Sequence, residues 1–347
     1  MIAELPADAS VLDLPEGKYT IGSTWVISRA VITIRGAGMG KTLLVRSDSF
    51  RGALIHMNGE GSTITNLTID GNCPGPGHKT GGELGMHRPK QVAEMVEVKN
   101  FCHIGIGIGA SECRVTRCVI TGVRDPAIPS IGIWHDAGKE PTNAVITIDH
   151  NLVTNNGING IYCTGGKIVI SHNQLLRNHC QTIPSGGGQI DVGNVRTTNT
   201  NAVITDNTIV DGGGTRTAGI ELGGGTFYVA ANTIRNHAVC ATGIAVNAKS
   251  TIIGNIISNS GQNTAHALRC GIVVQAGATG FQIDNNRIFD DQRVKTQTWG
   301  IQIKPGCDQF EVKNNDLRGN LYPKGLLNQS KAHNGVIAGN LPPDANR

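Results

Sequence analysis

The stretch Ile148-Asp-His-Asn-Leu-Val153 returns twenty-two residues later as Ile170-Ser-His-Asn-Gln-Leu175, with the Asn fixed at its centre. Flanked by short apolar runs, this Asn stands at Asn151, Asn173, Asn207, Asn232, Asn255, Asn286, Asn315 and Asn340, at intervals of 22 to 34 residues. A second marker, Gly followed by an apolar residue, comes after most of them: Gly160-Ile161, Gly219-Ile220, Gly243-Ile244, Gly271-Ile272 and Gly300-Ile301, with Gly188-Gln-Ile190 as a variant. Self-similarity at such a period is the signature of a stacked repeat.

Each repeat holds three short alternating segments, as in Val145 to Ile148, Leu152 to Val153 and Ile161 to Cys163. They are too short for helices and rich in Val, Ile and Thr, so they are expected to be strands. Three strands in a coil of about twenty-two residues imply an all-β, single-stranded right-handed parallel β-helix of about eleven coils. Coils stacked at the strand spacing of about 4.8 Å would let each inward Asn hydrogen-bond to the next, which explains why Asn and not Leu is the fixed point. Tight corners account for the abundance of Gly, 47 in 347 residues, because Gly tolerates positive φ. The expected organisation is one domain: an N-terminal cap and first strands in residues 1–30, coils over 31–340, and a tail at 341–347.

The net charge of +4 is small, and no Lys/Arg run or interleaving of basic and aromatic residues occurs, so nucleic acid is not an expected partner. No stretch approaches eighteen apolar residues and the first residues lack the pattern of an export signal, so no membrane partner is expected. Nine cysteines contain no C-x-x-C. An odd number cannot all pair, and most are expected to be reduced residues of a chain made in a reducing compartment.

Two further features carry a resemblance to a known family: Leu14-Pro-Glu-Gly-Lys-Tyr19 followed by Val31-Ile-Thr-Ile-Arg-Gly-Ala-Gly-Met-Gly-Lys-Thr42, and the Asn and Gly-Ile repeat from about residue 60 to 340. The chain resembles the pectate-lyase-like superfamily of right-handed parallel β-helices, its phage tailspike branch in particular. That resemblance implies action on, or binding to, a polysaccharide, a homotrimer, and a virion-associated or released protein. It does not choose among lyase, hydrolase, epimerase and non-catalytic fibre.

Aligning the repeats on Gly-Ile places one outward residue per coil in a column: Trp134, Tyr162, Asp191, Glu221, Ala245, Val273 and Gln302. The glycines at 132, 160, 219, 243, 271 and 300 are expected to lie outward beside it as a flat lane. Asp191 and Glu221 then stand on adjacent coils, about 5 Å apart at Cβ, and two carboxylates so close cannot both ionise freely. One becomes an acid beside a base or nucleophile, the pair that glycosidic hydrolysis needs, while Trp134 and Tyr162 offer faces for sugar rings. Solvated acids on a sheet face are the plainer alternative. A lyase would instead use the carboxylates for Ca²⁺ and Arg216, Arg196 or Lys304 as base; otherwise no cofactor is expected.

The loops at 177–187, 210–218, 259–270 and 290–299 are candidate groove walls, and Arg216, His266, Arg269, Gln302 and Lys304 join the expected substrate contacts, with Trp299 closing the last loop. The excursion from Asp70 to about Gln91 reads as a lid or a subunit contact. His135 and Asp136 read as a turn pair or as a general base, and His150 and His172 as a stack one coil apart. Gly36 to Thr42 lacks the spacing of a phosphate loop, and Cys118 takes a ladder position.

Overall fold

The computed structural model describes residues 10–73, 75, 82–123, 125, 127–137, 144–178, 187–193, 199–212, 217–236, 242–262, 269–322 and 324–341. All regular structure among them is strand, in one sheet of 22 strands and one of 12, and every pairing is parallel. The coils begin early: Val11–Leu14, Gly17–Ile21 and Trp25–Ile27 already pair in register with the coil above. The molecule is the all-β parallel β-helix that the repeat implies.

One residue makes each corner of the larger sheet. Val145–Asp149 and Leu152–Thr154 meet at His150, whose φ is 58°. The equivalent residues His172, Asp206, Ala231, Asn285 and Asn314 have φ between 54° and 58°. A single left-handed residue swings the chain, and the next residue, the repeating Asn, turns inward. Asn173 shows how its amide is used. Its Nδ2 donates to Asn207 Oδ1 at 3.0 Å and to the carbonyl of Ile148 at 2.9 Å, while its Oδ1 accepts Asn151 Nδ2 and the Asn151 backbone N–H, each at 2.9 Å. The ladder continues unbroken to Asn340 at 2.8–3.0 Å per step. Cys118 holds the rung before Asn151, donating its backbone N–H to Asn151 Oδ1 at 2.9 Å.

A second, shorter ladder lies at the next corner. Asn155, Arg177 and Asn259 are left-handed there, and the residues after the first two, Asn156 and Asn178, point inward: Asn156 Nδ2 donates to Asn178 Oδ1 at 2.8 Å, and Asn178 Nδ2 to Gln189 Oε1 at 3.0 Å. This explains the Gly-Gln-Ile variant, because Gln189 stands in a glycine's place and its side chain supplies the ladder's next acceptor.

The glycines of the Gly-Ile marker do not form an outward lane. A Cβ on Gly132 would fall 2.7 Å from Val153 Cγ1, one on Gly160 2.9 Å from Leu175 Cδ2, and one on Gly271 2.1 Å from Ile288 Cγ2. Both the Gly and the following Ile therefore face the interior. The reason is the corner just before the strand, where side chains and backbone of the neighbouring segments fill the space inside the coil; Gln189 fits at the equivalent place because it serves as a ladder rung there.

Of residues 70–91, the described stretch 82–91 contributes to a coil of the stack. Leu84–Met86 within them pairs with Ile55–Met57 on one side and Ile104–Ile108 on the other, while residues 74 and 76–81 lie outside the described residues. Val92–Lys99 and Ile104–Ile108 are successive strands of one coil. Cys73 and Cys102 form a disulfide, while Cys113, Cys118, Cys163, Cys270 and Cys307 are free and buried. Cys180 and Cys240 lie outside the described residues.

Candidate active site

The outward column of the 12-stranded sheet is built by register. Trp134 pairs with Tyr162, Tyr162 with Asp191, Asp191 with Glu221, and Glu221 with Ala245. Parallel pairing without slippage keeps every member on the same face, because a shift of one residue would turn the whole set inward. Trp134, Tyr162, Asp191 and Glu221 are all half-buried, so each presents part of its side chain to solvent. The expected juxtaposition of the two carboxylates is present.

Their electrostatics follow from that placement. Burial among protein atoms, and after it the neighbouring Glu221 carboxylate, hold the Asp191 carboxyl well above the usual carboxylate range. Asn159 opposes this: its Nδ2 donates to the carbonyl of Gly188 at 2.8 Å and stands 3.5 Å from Asp191 Oδ2, the long end of a hydrogen bond. Asn159 is not legible as a site residue from the column, because it lies three positions before Tyr162.

Beyond Glu221 the column closes over. Ala245 is 6% exposed and Val273 0%, and with Ala218 and Cys270 they form a small apolar cluster on which Trp299 packs. These side chains are too small to project past the indole, so this half of the face is an apolar surface and not an open row. Gln302 follows Val273 in register and bonds Gln329 at 3.3 Å, while Lys304 Nζ donates to Gln275 Oε1 at 2.6 Å. Both are held by neighbouring side chains at the far end of the face. Arg269 is half-buried, and its carbonyl accepts the Thr298 N–H at 2.6 Å. Arg196, Arg216 and His266 lie outside the described residues.

The wall at 290–299 is built around Asp290, which is 1% exposed. Its carboxylate accepts the backbone N–H groups of Gln292, Thr296 and Gln297 at 2.7–3.0 Å. That arrangement fixes the approach to Trp299.

His135 does not belong to the groove. It lies in the strand Ile131–Asp136, pairs with Ile108 and Cys163, is 1% exposed, and its Nδ1 bonds the Ile108 carbonyl at 2.9 Å. Strand alternation puts it on the opposite side from Trp134, and burial lowers its pKa. Asp136 accepts a hydrogen bond from Thr164 at 2.9 Å. His150 and His172 stack at 4.8 Å with rings 3° from parallel. Among the described residues, no group of three or more His, Cys, Asp or Glu is placed to hold a metal ion, and no helix is long and apolar enough to cross a membrane.

No known protein family and no curated protein matches the chain in sequence. Solved structures do match in fold. The A-module of the mannuronan C-5 epimerase AlgE6 of Azotobacter vinelandii superposes with a TM-score of 0.65 at 15% identity, over 97% of this chain and 92% of that one. The catalytic unit of a GH87 α-1,3-glucanase of Streptomyces thermodiastaticus gives 0.68 at 13% identity, over 97% of this chain and 64% of that one. The PL6 alginate lyase AlyGC gives 0.64 at 15% identity, over 94% and 48%. The chain has the pectate-lyase-like right-handed parallel β-helix fold.

Proposed function

We propose that the protein is a polysaccharide-active enzyme that hydrolyses glycosidic bonds, with Asp191 as the general acid and Glu221 as the base or nucleophile. The observation that carries this reading is the registered pairing of two half-buried acidic residues on adjacent coils, one of them with a raised pKa. Asp191 keeps its proton where an ordinary aspartate has lost it, so it can donate that proton to the leaving glycosidic oxygen. Glu221 then activates water or attacks the anomeric carbon. Trp134 and Tyr162 continue the column from Asp191 and would hold sugar rings against their faces. The fold shared with a glucanase, an alginate lyase and a mannuronan epimerase supports a polysaccharide as the partner.

The likeness to alginate lyases favours one second reading, β-elimination on a uronate polymer with the carboxylates holding Ca²⁺. Oxygen donors suit that ion, yet two carboxylates fall well short of the six to eight ligands it takes. The site therefore fits hydrolysis better, and no step is assigned to a metal.

Reducing-end release from a panel of neutral and acidic polysaccharides, followed beside ultraviolet absorbance, tests both. Release without absorbance that disappears in Asp191→Asn and Glu221→Gln is the expected result. Ultraviolet-absorbing products would replace hydrolysis by elimination, and binding without release would make the groove a recognition surface.

A further inference from the structure

The carboxylate pair has aromatic side chains on both sides, and only one set lies in the column. On the side of Asp191 stand Tyr162 and Trp134. On the side of Glu221, three rungs further along the sheet, stands Trp299: Ala218, in the same strand as Glu221, pairs with Thr242, Thr242 with Cys270, and Cys270 with Trp299. The residues between Glu221 and this indole are small, and Ala218, Ala245, Cys270 and Val273 are all buried in the cluster on which Trp299 packs. Small side chains let an indole settle against the outer face of a sheet, where larger ones would push it away.

Trp299 is not alone. The Tyr322 ring lies 4.6 Å from it, centroid to centroid, tilted by 43°, and Tyr322 remains 43% exposed. The loop that carries it is tied down by two backbone bonds, Tyr322 N–H to the Thr298 carbonyl and Gly325 N–H to the Tyr322 carbonyl, each at 3.0 Å. An exposed aromatic side chain on a fixed loop, beside a second one anchored on the sheet, makes a preformed apolar surface. An apolar surface next to a charged pair suits the face of a sugar ring better than an ion or an extended peptide, because a sugar offers both C–H faces and hydroxyl edges.

We propose that Trp299 and Tyr322 form a second sugar platform across Asp191 and Glu221 from Trp134 and Tyr162, so that the scissile bond lies inside a long glycan chain and not at its end. From the strand of Trp134 to that of Trp299 there are six steps between strands, roughly 29 Å at the interstrand spacing. Only a chain several residues long touches both platforms. The substrate class is accordingly an extended polysaccharide cut internally, with affinity that grows until the chain reaches the second platform. This inference rests on the reading of the groove as a glycan site, and it adds the direction in which the glycan runs past the carboxylates.

The test is a series of oligosaccharides of increasing length from whichever polysaccharide the wild type cuts or binds, applied to wild type, Trp299→Ala, Trp299→Phe, Tyr322→Ala and the Glu221→Gln variant. For long chains Trp299→Ala and Tyr322→Ala are expected to raise KM roughly three- to tenfold, the scale of one lost aromatic contact. Short chains should be little changed, and Trp299→Phe should recover most of the loss. Wild-type products should arise from internal cuts. Binding measured on Glu221→Gln separates the two claims. If the wild type shows no turnover but binding strengthens with chain length and weakens in Trp299→Ala, the hydrolase reading falls and the platform stands. If turnover is lost in Glu221→Gln while both aromatic variants treat long and short chains as wild type does, the platform falls and the hydrolase stands. Equal losses on long and short chains, with a lowered melting temperature, would show that Trp299 only packs, and would also overturn the platform.

Discussion

Arg46 and Glu83 form an ion pair whose side chains are 0% and 1% exposed. Arg46 also donates through Nε to the carbonyl of Gly71 at 2.7 Å and through Nη1 to that of Gly52, so its charge is well satisfied. Glu83 is less so, because its Oε1 has no hydrogen-bond partner among the described residues. Burial outweighs the attraction of Arg46 and raises the Glu83 carboxyl from 4.5 to about 7.

That shift has a sign. A carboxyl whose pKa is higher in the folded chain than in the unfolded one favours folding most at low pH, and loses that contribution as pH rises from about 4.5 through about 7. Wild type should therefore lose stability between pH 5 and pH 8 by more than Glu83→Gln, which has nothing to titrate there, and the difference should approach but not exceed about 3 kcal/mol. Urea midpoints at the two pH values measure it, and equal slopes in the two proteins would mean that Glu83 titrates normally.

The Asn ladder makes a position-dependent prediction. Asn207 is 1% exposed and bonded to Asn173, to Asn232 and to the Ile170 carbonyl. Asn207→Ala should cost about 2–4 kcal/mol, since it leaves neighbouring buried donors and acceptors unpaired. Asn340→Ala, at the last rung, should cost less. Denaturant unfolding of the two variants checks the order.

Glycine at the marker positions is needed for room. Gly271→Ala would set a Cβ 2.1 Å from Ile288 Cγ2, and overpacking of this kind costs about 1–3 kcal/mol. An outward glycine would accept Ala without loss, so a melting temperature unchanged in Gly271→Ala would restore the lane that the repeat alone suggests.

The carboxylate pair predicts its own titration. Glu221→Gln removes one of the two causes that raise the Asp191 pKa, so that pKa should fall in the variant but stay above the ordinary value, because burial is the larger cause. Carbon-13 detection of the Asp191 carboxyl against pH reads this directly. In the wild type the hydrolase reading places Asp191 deprotonation at the alkaline limb of activity, and Asp191→Asn should lower kcat at least a hundredfold.

Much of this molecule could be read from its string of residues. A repeating Asn between short β-branched runs has one economical use, a stack of coils, and the ladder from Asn151 to Asn340 is the result. The column Trp134, Tyr162, Asp191 and Glu221 was also legible, because strand alternation and parallel pairing carry a residue's face from one coil to the next without reference to anything distant.

What only the tertiary structure decided lies at the corners and between non-successive strands. The marker glycines turn inward because the chain bends just before them, and no alternation rule sees a bend. The inward turn of His135, the pairing of Cys73 with Cys102 and the burial of Arg46 against Glu83 depend on which surfaces meet after the coils have stacked. The same holds for Trp299 and Tyr322, distant in sequence and brought together by a loop folding over the last coils. Local periodicity determines which way a side chain starts out from its strand. The space left by its neighbours determines where it ends.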